Sequence, residues 1–227
     1  MKIECPACGY ENYFTGLEDE YNRFCSNCDI GLFELDKQKI NSYKSKISLS
    51  KDTFYNKVVV WLKSGLESDK KGLYNIFSKE IEIFKNNSVL ESQLYLEIIY
   101  FYMFLIYFNC AFIFKNKDKV EDYFDYFVDK TYDLIFKKEF GKYKKEDWKI
   151  NIMRRLKDYA AVCKLEPGEK YNTTKFTMLL TMVFCKNFPN KEDLVSTNKI
   201  TVIDSYLYMI LSLSLKTFKN YFKKYKI

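Results

Sequence analysis

Four cysteines near the start of the chain stand as two pairs, Cys5-Pro6-Ala7-Cys8-Gly9 and Cys25-Ser26-Asn27-Cys28, with sixteen residues between the pairs. No other feature constrains the local fold as tightly. Two residues between thiols let both sulfurs reach one ion at about 2.3 Å, and the backbone N–H groups of such a turn stabilise the thiolates. Gly9, directly after the second cysteine, permits the positive φ that this turn commonly needs, and Gly31 stands three residues past the second pair. A stretch this short buries too little apolar surface to hold itself together, so a closed metal site does the work of a core. The spacing therefore predicts one structural zinc held by Cys5, Cys8, Cys25 and Cys28. Four thiolates also satisfy a rubredoxin-type iron centre. Met1-Lys2-Ile3-Glu4 runs straight into the first pair with no signal peptide, which points to a reducing, cytoplasmic setting and to thiols rather than disulfides.

Through the CPACG and CSNC knuckles, residues 1–35 resemble the zinc-ribbon superfamily, and the resemblance covers those residues only. It implies short β-hairpins around a saturated zinc. Ribbons of this kind serve transcription, RNA handling, ribosomes and protein docking, so the resemblance implies a metal site and no single activity. The remaining cysteines, Cys110, Cys163 and Cys185, lie in apolar helical stretches and read as buried, unreactive thiols.

Composition narrows the chemistry further. The 227 residues include no His, which removes every imidazole-based triad, general base and metal site. Hydrophobic residues make up 48% and aromatics 19%, against seven Gly and three Pro, so the chain is built to fold compactly. Of 37 basic residues only Arg23, Arg154 and Arg155 are arginine. The lysine excess follows the A/T-rich codons of a low-GC genome, bacterial or phage, and a reader of nucleic acid built on arginine forks is excluded.

The chain divides into a ribbon at 1–35, a basic connector or first helix at 36–51, and an all-helical body at 52–227. The fold class expected is mainly α, with about seven helices in the body. Asp52 caps a helix to Leu62; Ser68 or Asp69 starts a second; Ser88-Val89-Leu90-Glu91 is a capping box for a third. Further helices are expected at 118–139, 145–164, 172–186 and 200–225, separated by Gly141, Pro167-Gly168 and Pro189. Residues 98–114 are apolar apart from Asn109, and as a helix would run about 25 Å against a hydrocarbon core of about 30 Å. Its length, Glu97 at its edge and its Tyr and Phe content predict a central core helix and no membrane contact.

Charge is unevenly spread. Residues 1–35 hold Lys2 and Arg23 against seven carboxylates, a net of −5, which leaves +12 on the rest of the +7 chain. An acidic ribbon repels a phosphate backbone, so Glu18, Asp19 and Glu20 read as a protein-docking face. On the last helix Lys216, Lys219, Lys223 and Lys226 share one face and Phe218, Tyr221, Phe222 and Tyr225 the other. With Lys224, Arg154, Arg155 and Lys157 these lysines are the candidate sites for nucleic acid or an acidic partner. Asp122, Asp125, Asp129 and Asp133 read as a solvated face. The expected function is that of a non-enzymatic regulator that docks on a protein or ribonucleoprotein, such as a phage- or mobile-element inhibitor of a nucleic-acid enzyme. Two alternatives stand beside it: direct RNA or DNA binding by the basic body, with Tyr10, Tyr13 or Phe14 stacking on bases, and an enzyme with a carboxylate or Lys site in a cleft.

Overall fold

The computed structural model describes residues 2–13, 24–25, 32, 40–41, 44, 46–80, 84–85, 87–114, 117–141, 143–163, 173–188 and 197–226. The fold is mainly α with a small N-terminal hairpin. Strands β1 (Lys2–Glu4) and β2 (Glu11–Tyr13) pair antiparallel with Ile3 opposite Asn12. A two-residue strand, β3 (Ile47–Ser48), precedes the helices.

Six helices are found among the described residues. They are α1 (Lys51–Glu80), α2 (Ser88–Ile113), α3 (Lys117–Thr131, continuing through a π turn at Tyr132–Phe136 to Lys137–Glu139), α4 (Lys145–Ala161), α5 (Thr173–Cys185) and α6 (Thr197–Lys224). Strand β4 (Tyr225–Lys226) follows α6 and pairs parallel with β3, Ile47 opposite Tyr225.

The two helices expected at 52–62 and from 68 are one. Gly65 weakens a helix interior by about 1 kcal/mol relative to Ala, yet α1 runs through it because Tyr102 of α2 crosses the helix at that point. A Cβ on Gly65 would lie 2.7 Å from Tyr102 Cζ, and one on Gly72 would lie 2.8 Å from Tyr206 Cζ of α6. The two glycines are gaps that admit tyrosine rings. Between them, buried Asp69 accepts hydrogen bonds from Tyr102 Oη at 2.5 Å and Tyr206 Oη at 3.0 Å. This Tyr–Asp–Tyr bridge ties α1, α2 and α6 together.

Both expected N-caps shift. Ser50 Oγ accepts from the Thr53 N–H at 3.2 Å, so Ser50 caps α1, while Asp52 lies in the first turn and accepts from Tyr126 Oη. Asn87 caps α2, its Oδ1 accepting from the Leu90 N–H at 3.2 Å, one residue ahead of the expected Ser88 box. Each cap is a short polar side chain reaching the third N–H of its helix, which the neighbouring residue would miss by one turn position.

Helix α2 is the axis of the body and packs against α1, α3, α4 and α6. Every residue from Ile98 to Ile106 is buried. Its 88–111 stretch is long and apolar enough to cross a membrane, and 78% of the most apolar window is buried inside the fold. Asn109 keeps its amide paired there, donating to Leu105 O at 2.7 Å and Ser214 Oγ at 3.3 Å. Trp148 anchors α4: it stacks on Phe136 with centroids 4.2 Å apart and donates to Val128 O at 3.2 Å. The π turn brings Phe136 onto that indole.

Candidate metal centre

Among the described residues the apolar side chains form two separate clusters. The large one fills the helical body; the small one holds Cys5, Ala7, Cys25, Leu32 and Ile40. Cys5 leaves β1 into a turn closed by Cys5 N–H to Tyr10 O at 2.9 Å and Gly9 N–H to Cys5 O at 2.8 Å. Gly9 has φ 73°, the left-handed conformation a side chain would strain. Asn12, 2% exposed, fixes the hairpin behind this turn by donating to Tyr10 O at 3.0 Å. Cys25 then comes in from the other side, fully buried.

The result is a cluster of thiols. Cys5, Cys8 and Cys25 present their sulfurs within 4.8 Å of one another, with Cys8 Sγ and Cys25 Sγ 3.5 Å apart. Thiolates around one tetrahedral ion at about 2.3 Å stand about 3.8 Å from each other, so the arrangement fits a metal site made of soft donors. Cys28 lies outside the described residues, as do Glu18, Asp19 and Glu20. The other three cysteines are buried or half-buried, and burial pushes Cys110, Cys163 and Cys185 up to about 12, which holds them as neutral thiols.

The basic candidates divide. Arg154 and Lys157 of α4 and Lys216, Lys219, Lys223 and Lys224 of α6 are exposed, on two separate helices; Lys226 gives its backbone to β4. Opposite the α6 lysines Phe218 is buried, as the amphipathic pattern predicts. Arg155 leaves the set because its guanidinium turns inward. It bonds Glu97 Oε2 at 2.8 Å and also donates to Asn187 Oδ1, with its side chain 15% exposed. Glu97, expected at the edge of an apolar helix, is 2% exposed and accepts from Tyr159 Oη at 2.8 Å and Asn187 Nδ2 at 3.1 Å. Burial raises its carboxyl to about 7 against the opposing pull of Arg155, Tyr159 and Asn187. Sequence reasoning missed this network; the one signal was a lone Glu opening an apolar run.

Two of the α3 aspartates, Asp122 and Asp129, are paired at the surface. Lys51 meets Asp122, and Asp129 takes Lys149 at 2.8 Å and Lys145 at 3.2 Å, which holds the Asp129 carboxyl below its ordinary value. A 370 Å³ groove between α2, α3 and α4 has an apolar floor that includes Phe124 and Leu156, with Glu121, Asp125 and Lys157 around it. Glu121 there is solvated and paired with Lys117 at 3.5 Å. The chain matches no family model, no curated protein and no solved structure.

Proposed function

We propose that residues 1–35 form a zinc ribbon in which Cys28 completes the set begun by Cys5, Cys8 and Cys25, and that the chain is a non-enzymatic docking protein presenting this ribbon beside a lysine-rich helical body. The observation that carries the reading is the convergence of three sulfurs from two distant chain segments within 4.8 Å. A saturated four-thiolate site leaves no open position for a substrate, so the zinc is structural. The ribbon's −5 and the body's +12 give a partner two contacts of opposite sign.

Freshly purified, unchelated protein should carry about one zinc per chain. Cys25→Ser should lose that zinc and the chemical-shift dispersion of the hairpin amides. Its far-UV helix signal should stay, because the helices pack in the other cluster. Metal-free protein with an ordered hairpin would refute the ribbon. For the docking half, Glu18→Lys/Asp19→Lys/Glu20→Lys should abolish capture of partner from the native host even after nuclease treatment. Binding that survives this reversal and instead falls steeply with salt on RNA or DNA would establish the nucleic-acid alternative.

A further inference from the structure

The groove between α3 and α4 carries opposite charges on its two walls and apolar side chains on its floor. The floor of this 370 Å³ space is made by Tyr107 of α2, Phe124 of α3 and Leu156 of α4. Tyr107 and Phe124 meet edge to face, with centroids 5.2 Å apart and an interplanar angle of 81°. One end is tied shut where Asp129 of α3 takes Lys149 at 2.8 Å and Lys145 at 3.2 Å, and Trp148 donates to Val128 O beside it. Away from that tie the walls are formed by Glu121 and Asp125, which precede Asp129 on α3, and by Met153 and Lys157, which follow Lys149 on α4. The two walls therefore run antiparallel. Their charges are placed but not spent on each other. Glu121 is taken by Lys117 of its own helix at 3.5 Å. Asp125 and Lys157 line the groove from opposite walls and form no salt bridge among the described residues, although the same two helices do join their charges at Asp129, one turn further along α3.

The geometry points to a binding site for a free amino acid with a large apolar side chain. Its ammonium meets Asp125, its carboxylate meets Lys157, and its side chain rests on the apolar floor against Met153. A concave, largely apolar site with a few charged groups that fix orientation is the usual form of a small-molecule site, and the volume lies in the usual range of about 300–1,000 Å³. The pair of signs selects the ligand class. A simple amine brings a second cation beside Lys157, and a simple carboxylate brings a further anion beside Asp125 and Glu121. A phosphate chain meets the same two acids. The tie at Asp129 stops the groove at one end, so a partner helix has no path along it. The inference goes beyond the zinc and docking reading by naming a ligand and its site. It requires neither the metal nor a partner, so its failure and theirs are separate results.

The test titrates the full-length protein, its methionine methyls isotope-labelled, with L-phenylalanine and with the two analogues that each lack one charge, 2-phenylethylamine and 3-phenylpropionate. Phenylalanine should shift Met153, which lines the groove, and saturate at about millimolar concentration, while exposed Met178 of α5 and buried Met103 stay in place. Each analogue should bind about fivefold more weakly, the effect of one charged contact at a solvated rim. Asp125 and Lys157 are exposed, so substitutions there leave the fold intact. Asp125→Asn should erase the advantage of phenylalanine over 3-phenylpropionate, and Lys157→Met its advantage over 2-phenylethylamine, each without altering the other comparison. Glycine, a zwitterion with no side chain, should not move Met153. The inference is overturned if phenylalanine leaves Met153 unmoved at about 10 mM, if Met178 shifts as much, or if glycine acts as phenylalanine does. It is also overturned if either analogue binds as well as phenylalanine: equal binding by the amine assigns the groove to cations, and equal binding by the carboxylate assigns it to anions.

Discussion

Arg155→Met should lower the stability of the helical body by about 3–5 kcal/mol at pH 8, the loss expected when one member of a buried ion pair is removed. The remaining Glu97 carboxylate would sit 2% exposed, with Tyr159 and Asn187 as donors and no counter-charge. The deficit should shrink at pH 5, where the stranded acid takes up a proton. The unaltered protein already has a sign that can be read. The carboxyl's folded value is about 7 and its ordinary one 4.5, so the folded state keeps the proton longer than the unfolded chain. Glu97 then erodes stability as pH rises through that window, by about 3 kcal/mol in total. Asp129, depressed below 3.8, acts at lower pH and in the opposite sense, losing its contribution on acidification. Glu97→Gln should flatten the urea-midpoint profile between pH 4.5 and 7 and leave the acid limb alone. An unchanged slope in Glu97→Gln would show that Glu97 does not titrate there.

Gly65→Ala should destabilise the fold by about 3 kcal/mol, although helix propensity alone predicts a gain of about 1 kcal/mol. The sign is decided by Tyr102. Its ring is 3% exposed and its phenol is held by Asp69, so a methyl 2.7 Å from Cζ has no room to displace it cheaply. Asp69 would also lose a donor inside the protein. Tyr102→Phe in the same chain removes the nearest clashing atom and should recover part of the loss, giving a non-additive cycle in thermal or urea unfolding. At Gly72 the opposing ring is half-exposed Tyr206, which can swing outward, so Gly72→Ala should cost only about 1 kcal/mol. Equal effects at the two glycines would mean that the rings are not what the gaps serve.

These two sites show where sequence reasoning stops. Helix positions from 88 onward were legible from the Ser88-Glu91 box, the continuous apolar run at 98–114, and helical patterning punctuated by Gly141, Pro167-Gly168 and Pro189. The helix expected to end at Leu62, with another starting at Ser68 or Asp69, is continuous, and the reason for its mid-helix Gly65 is a tyrosine 37 positions further along the chain. Arg155 read as a surface cation because its partner, Glu97, lies 58 residues upstream on another helix. Cys5 and Cys8 were legible as a pair because their geometry is local. Cys25 joined them across the hairpin because metal-ligand spacing is one of the few sequence patterns that encodes a long-range contact.

The parallel pairing of Ile47 with Tyr225 makes the helical body a closed circuit, beginning and finishing at one pole. Lys57 and Lys224 place their ammonium groups 5.1 and 5.4 Å from the Tyr225 ring centroid and pin that seam from both sides. Trimming the chain back to Lys224 would therefore act at a distance in sequence, unfastening the stem from which the thiol cluster hangs.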